Sequence, residues 1–280
     1  MVRGLSIFQA WFKDFENQYV LIGGTAASIT MTEAGLPFRG TKDLDIVLHV
    51  EALTPAFCQK FWEFVRAGSY QQKEGDPEQK PCLYRFQKPQ DEDFPHMLEL
   101  FSRVPDGLSF VPPGHLTPIP MDEQISSLSA ILLNDEYYRF VLAGRKSKHG
   151  MPSWVGEDRL IPLKAVTWLE MTERVRQGEA IDSKKINKHL NGIVQLSALL
   201  QPGQVIELPA KLQADLLAFA MAVVEFNRPE QVQAMGRIAS AYAFDVLVRV
   251  IAELLSFAAR SSAAGSPLDP TARSHRPSGF

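Results

Sequence analysis

The sequence predicts an α/β or α+β amino-terminal domain followed by a helical carboxy-terminal domain. Three observations predict it. Short apolar runs, bounded by glycine, proline and charged turns, alternate with helical spacing over the first half of the chain. Asp43-Leu44-Asp45-Ile46 alternates acidic and apolar residues before an aliphatic run, the pattern of a strand with two unlike faces. The character changes near Glu157, beyond which apolar residues recur at helical spacing. The expected division is 1–156 for the α/β domain, 157–260 for the helical domain and 261–280 for a disordered tail rich in Ser, Ala, Pro, Arg and Gly.

The elements follow in chain order. Phe8, Trp11, Phe12 and Phe15 lie at helical spacing within Leu5 to Asn17. Tyr19 to Ile22 reads as a strand that stops at a Gly23-Gly24 turn, and Thr25 to Ala34 as a helix ended by Gly35 and Pro37. Asp43 to Val50 is a strand, and Thr54-Pro55 opens a helix to about Ala67. Ser69 to Pro81 is polar and expected to be a loop. Leu83 to Gln87 and Met97 to Val104 are strands joined by the Gln90-Asp91-Glu92-Asp93 turn. Pro105 to Pro120 is proline-rich and predicts an irregular connection. Ile125 to Leu133 and Tyr137 to Ala143 are expected to form a hairpin about Asn134-Asp135-Glu136. Helices are then expected over Pro162 to Gln177, with Pro162 in the first turn, and over Ser183 to Leu200 behind an Asp182 cap. Two more are expected over Ala210 to Phe226 and Glu230 to Ala259.

The bulk numbers exclude some classes. A formal net charge of -3, with 22% charged residues, gives no global case for a nucleic-acid binder. No stretch approaches the roughly 20 apolar residues of a membrane span. The amino-terminus has no signal-peptide pattern. Cys58 and Cys82 lack metal-type spacing and are expected to be reduced thiols in a cytoplasmic protein.

The chemistry concentrates around one strand. Residues two apart on a strand share a face, so Asp43 and Asp45 lie together while Leu44, Ile46 and Leu48 turn to the core. Carboxylates so close repel unless a cation sits between them. Magnesium suits such a site, and manganese is its alternative, because these ions take oxygen ligands and bridge carboxylates to phosphates. Glu99 lies inside the apolar run Met97-Leu98-Glu99-Leu100-Phe101, where an unpaired charge is costly. It either joins the aspartates as a third metal ligand that helps deprotonate an attacking hydroxyl, or it is paired with an arginine such as Arg85. Gly23, Gly24 and Thr25 stand between a strand and a helix, where backbone N–H groups and the helix dipole favour phosphate. Arg39 and Lys42 precede the aspartates and could add positive charge to the same phosphates.

Taken together, Ile22-Gly23-Gly24-Thr25-Ala26 followed by Arg39-Gly40-Thr41-Lys42-Asp43-Leu44-Asp45, with Glu99 later, resembles the nucleotidyltransferase superfamily of the DNA polymerase β type. The extended pattern looks like its AbiEii-like branch, which includes toxins of bacterial abortive-infection and toxin–antitoxin systems. The resemblance implies a nucleotidyltransferase-type mixed sheet. It also implies metal-dependent transfer of a nucleoside monophosphate from a nucleoside triphosphate to a hydroxyl acceptor, with an RNA (tRNA) acceptor and an antitoxin protein as candidate partners. It extends more loosely to Leu160-Ile161-Pro162-Leu163-Lys164-Ala165 and to Lys184-Lys185-Ile186-Asn187-Lys188-His189. Lys164 matches a lysine expected to approach the triphosphate; by composition it is equally a lysine snorkelling at the edge of an apolar face. Lys188 and His189 stand where related toxins carry a Lys-Asp pair, so His189 is a departure, and a plain helix surface remains the competing reading. His49, His96, His115, His149 and His275 show no ligand spacing, and Arg145-Lys146-Ser147-Lys148-His149 reads as a solvated basic loop, with contact to an RNA backbone the competing reading. Two further functions share the site chemistry: a non-catalytic nucleotide- or partner-binding module on the same fold, and an antibiotic-modifying nucleotidyltransferase.

Overall fold

The computed structural model describes residues 2–72, 85–103, 116–118, 129–132, 135–201, 203–224 and 229–243. Cys82, most of the proline-rich connection and the expected tail lie outside them. In chain order the elements are α1 (Leu5–Phe12), β1 (Tyr19–Leu21), α2 (Gly23–Glu33), β2 (Asp43–Leu48), α3 (Pro55–Ala67), β3 (Gln71–Gln72), β4 (Arg85–Gln87), β5 (Met97–Ser102), β6 (Leu116–Pro118) and β7 (Ser129–Leu132). They continue with α4 (Asp135–Ala143), β8 (Arg145–Lys146), β9 (Trp154–Val155), α5 (Glu157–Arg176), α6 (Ser183–Leu196), α7 (Ala210–Val224) and α8 (Pro229–Ala241).

The described strands form one mixed sheet in the order β3-β4-β5-β2-β1-β9-β8, with β7 joining β5 and carrying β6. β2 runs parallel to β5 and antiparallel to β1. The pleat sorts the side chains. Tyr19 and Leu21 are in register with Leu48 and Ile46, and Leu44 with Leu98 and Phe86. That apolar face meets α1 and α3. Phe57, Phe61 and Phe64 recur at helical spacing on α3 and pack against Phe8, Phe12 and Tyr19, stacked for Phe57 on Tyr19 and edge-on or tilted for the rest. Thr54 caps α3 by accepting from the Phe57 amide at 3.3 Å, with Pro55 in the first turn. Cys58 is buried there, and burial pushes its thiol up to about 11, so it is an inert core residue.

The other face of the sheet takes α2, with α5 and α6 behind it. Leu160, Ile161, Ala165, Leu190, Ile193 and Leu196 are buried in the same core as the strands. The mixed α/β sheet with helices following it is thus as expected. Leu212, Leu216, Phe219, Ala220 and Val223 bury one side of α7.

Four expectations need correction. Tyr137 to Ala143 is not a strand, and no hairpin joins it to β7; it is the helix α4. Its run of aromatic and β-branched residues suggests a strand by propensity. Burial instead falls on Tyr137, Tyr138, Phe140 and Val141, which is helical spacing, behind an acidic first turn of Asp135 and Glu136. Short strands also appear at Gln71–Gln72 inside the expected polar loop, at Leu116–Pro118 inside the expected irregular connection, and at Arg145–Lys146 paired with Trp154–Val155. Each is too short to show a period. The first helix ends at Phe12, well before Asn17.

The fourth concerns Pro162. The helix α5 begins at Glu157, so Pro162 lies inside it, not in its first turn. A proline there has no N–H for the carbonyl of Asp158, four residues back. The buried Tyr242 hydroxyl supplies the missing donor, at 2.9 Å from that oxygen. Tyr242→Phe should therefore lower unfolding stability by about 1–3 kcal/mol in urea titrations. In a Pro162→Ala background the amide returns, and the same change should cost less than about 1 kcal/mol. Equal costs in both backgrounds would refute this coupling.

Candidate active site

The β2–β5–β4 register places Asp45 beside Glu99 and Glu99 beside Arg85, in a row across three strands, with Asp43 on the same face. Leu44 and Ile46 anchor the opposite face in the core and are fully buried. The carboxylates are thus held by strands that cannot shift register without exposing aliphatic side chains.

α2 starts directly above this row. The glycines do not form a turn ahead of the helix, as expected from the sequence, but its first turn. Gly23 has φ +64°, and a Cβ built on it would stand 1.8 Å from the Asp45 Oδ2. The backbone therefore approaches the carboxylate more closely than any other residue would allow. Gly24 lies against Thr41, whose Oγ1 would be 3.0 Å from such a Cβ. Thr25 is fully buried, and its hydroxyl donates to the Asp43 carbonyl at 2.8 Å. It ties the start of α2 to the start of β2.

Asp45 is partly buried, and its pKa is raised to about 6. Burial is the main cause, followed by the Glu99 charge; Lys164 opposes the rise, Asp43 adds to it and Lys188 opposes it. Glu99 is buried, and the Arg85 Nε donates to its Oε1 at 2.7 Å, with the same guanidinium's second nitrogen in contact too. The arginine pairing weighed from the sequence is therefore present, alongside the juxtaposition with Asp45. Among the described residues no three His, Cys, Asp or Glu side chains are gathered tightly enough to enclose an ion. The donor set nevertheless suits a hard divalent cation: oxygen ligands on one face, with Asp45 carrying a repulsion that a cation would relieve.

Lys164 does not snorkel at an edge. It is 5% exposed, and its Nζ points to the Gly23 carbonyl at 3.5 Å. Burial, followed by the charge of Arg39, lowers its pKa to about 8, with Asp45 opposing. Arg39 and Lys42 are exposed on the loop that leads into β2. Lys188 is exposed on α6, and its charge reaches Asp45. His189, next to it, is partly buried, with an Nδ1 that is enclosed and unpartnered. Both readings of this pair, motif position and plain helix surface, are open from the sequence; the partial burial of His189 beside an exposed Lys188 is visible only in the structure. The basic run near Arg145 is solvent-exposed, as expected, and part of it is tied down by surface pairs. Arg145 donates to the Asn17 carbonyl, Lys146 pairs with Glu157, and Lys148 pairs with Glu33.

Neither a protein-family profile nor a curated protein matches the chain. Among solved structures it is similar to the crystal structure of an antigenic nucleotidyltransferase-like protein from Paracoccidioides brasiliensis. The identity is 16%, over 83% of this chain and 90% of that one, with a TM-score of 0.45. No described helix is long and apolar enough to cross a membrane.

Proposed function

We propose that this protein is a metal-dependent nucleotidyltransferase that moves a nucleoside monophosphate from a nucleoside triphosphate to a hydroxyl acceptor. One observation carries the reading. Asp43 and Asp45 share a face of β2 directly beneath the first turn of α2, where Gly23 meets Asp45 and the buried Lys164 meets Gly23. Carboxylates, the amino-terminal end of a helix and a buried cation thereby converge where a charged phosphate chain would lie.

In the reaction the acceptor oxygen bonds to the α-phosphorus, the bond from that phosphorus to its bridging oxygen breaks, and pyrophosphate leaves with the electron pair. The hydroxyl proton passes to a base, for which Glu99 is the candidate. Asp43 and Asp45, with Glu99, would hold the divalent cation, magnesium or manganese. When bound it supplies charge stabilisation to the attacking and leaving oxygens. Lys164, Arg39 and the α2 amides offset the charge of the phosphate chain. The resemblance to the AbiEii-like branch extends the proposal to a cytoplasmic toxin with a tRNA-like acceptor and a cognate antitoxin protein.

The test is incubation with each labelled nucleoside triphosphate, magnesium and a cell extract. Label should pass to one class of macromolecule or small molecule, and chelation should stop it. Transfer of label to an added antibiotic, and to nothing in the extract, would instead favour the antibiotic-modifying reading. Expression should slow growth of a bacterial host, and Asp43→Asn should relieve it; equal toxicity would rule out the toxin mechanism. The Arg85 pairing of Glu99 favours a second reading, binding without transfer, for which nucleotide would bind but no label would move.

A further inference from the structure

We propose that His189 is a ligand-contacting residue of this site, its imidazole donating a hydrogen bond to a phosphate oxygen held among Arg39, Lys164 and Lys188. The inference rests on the polyphosphate reading of the same site, and it adds a residue that the resemblance does not supply, because related toxins carry an acidic residue there.

The placement comes from α6. Gly192, one turn beyond His189 on the same face, lies against the Lys164 side chain: a Cβ built on it would be 3.5 Å from the Lys164 Cδ. His189 therefore stands on the side of α6 that meets α5 and the site. The cations whose charge reaches the ring are Lys164 from α5, Lys188 from its own helix and Arg39 from the loop before β2.

The ring's state follows from its surroundings. Nδ1 is enclosed and has no partner. A proton there would be a buried donor without an acceptor, which costs about 1–3 kcal/mol. A bare lone pair there is tolerated beside cations, so the proton sits on Nε2. An enclosed Nδ1 cannot touch a ligand, and Nε2–H is left as the donor that can. Burial, followed by the charges of Lys164, Lys188 and Arg39, holds the imidazole neutral, down to about 4. A carboxylate at this position would neutralise those cations internally and repel phosphate. A neutral donor leaves their charge for an incoming anion. Once a polyphosphate is bound among them, its charge offsets theirs, and the ring takes up a proton more readily.

The experiment uses the full chain and inorganic triphosphate, without metal. Calorimetry gives affinity, and histidine-labelled NMR follows the His189 ring, assigned by its loss in His189→Gln. Triphosphate should shift the ring signal and raise its midpoint by about one pH unit or more. His189→Ala should weaken binding about tenfold. His189→Gln, whose amide nitrogen can replace the Nε2–H donor, should bind within about threefold of wild type but lose the proton uptake. A merely structural histidine would show neither the shift nor this rescue. If His189→Ala binds like wild type and the ring does not respond, while Lys164→Ala loses binding, the inference fails and the site reading stands. If wild type binds no better than Lys164→Ala, the site reading fails and the inference with it.

Discussion

Asp45→Asn should reduce nucleotide transfer by about a thousandfold or more while leaving the protein at least as stable as wild type at pH 8. The two halves have one cause. Asp45 is held among Glu99 and Asp43 on a partly buried strand face, and its ionised form is disfavoured there. The folded value of about 6 lies above the ordinary 3.8, so the native state keeps a proton that the unfolded chain has already released. Stability from this group is fully present below about pH 4, is lost as pH rises through about 6, and stays absent above. The loss amounts to roughly 2–3 kcal/mol. Asparagine carries no charge and should not show that decline. Urea unfolding of wild type and variant at pH 5 and pH 8 gives the comparison: the variant's advantage should grow with pH. Magnesium or manganese should raise the wild-type melting temperature at pH 8 and leave the variant's almost unmoved, since only the carboxylate form holds the cation well. A variant that transfers at more than a tenth of the wild-type rate would remove Asp45 from the chemistry. A variant that is less stable at pH 8 would show that the carboxylate is satisfied in the apo site, contrary to the repulsion inferred here.

Legibility in the sequence follows the range of the interactions involved. β2 is readable because its acidic and aliphatic residues alternate at the period of the backbone itself, and the burial of Leu44 and Ile46 obeys that period. The cap of α3 is readable because Thr54 and its target amide are three residues apart. The row formed by Asp45, Glu99 and Arg85 is only half readable: each residue stands out as charged in an apolar run, but which strands adjoin is set by long-range pairing. α4 misleads because its buried residues are aromatic, and aromatic residues favour strands until tertiary packing decides otherwise. Pro162 misleads because its missing donor is replaced by Tyr242, 80 residues on, through a hydroxyl that no local pattern reveals. His189 is the furthest from view. Its meaning depends on three cations from three segments, and a helix surface looks the same in sequence whether or not such charges gather beside it.

Gly23→Ala should cost about 2–4 kcal/mol of stability and reduce transfer about a thousandfold, although it adds one methyl group to a residue with no side-chain chemistry. Two effects combine. A φ of +64° is strained for any L-residue with a Cβ. The new carbon would also lie 1.8 Å from the Asp45 Oδ2 and 2.8 Å from its Cγ, so something must move. β2 cannot, because its amides and carbonyls are committed to β1 and β5. Either the Asp45 carboxylate swings out of the row, or the first turn of α2 unwinds and takes the Gly23 carbonyl from Lys164. Both dismantle the site. The adjacent Gly24→Ala is the control: its φ is not left-handed, and its nearest neighbours, the Thr41 Oγ1 at 3.0 Å and Cβ at 3.3 Å, lie on a mostly exposed loop that need give only slightly. It should cost less than about 1 kcal/mol. A double variant separates strain from collision. Asp45→Ala removes the two closest atoms but keeps its own Cβ, so adding it to Gly23→Ala should recover the part of the stability lost to collision and leave the backbone strain of about 1–2 kcal/mol. If the two substitutions are simply additive in unfolding free energy, Gly23 and Asp45 do not press on one another, and the close approach on which the phosphate-binding reading depends is absent.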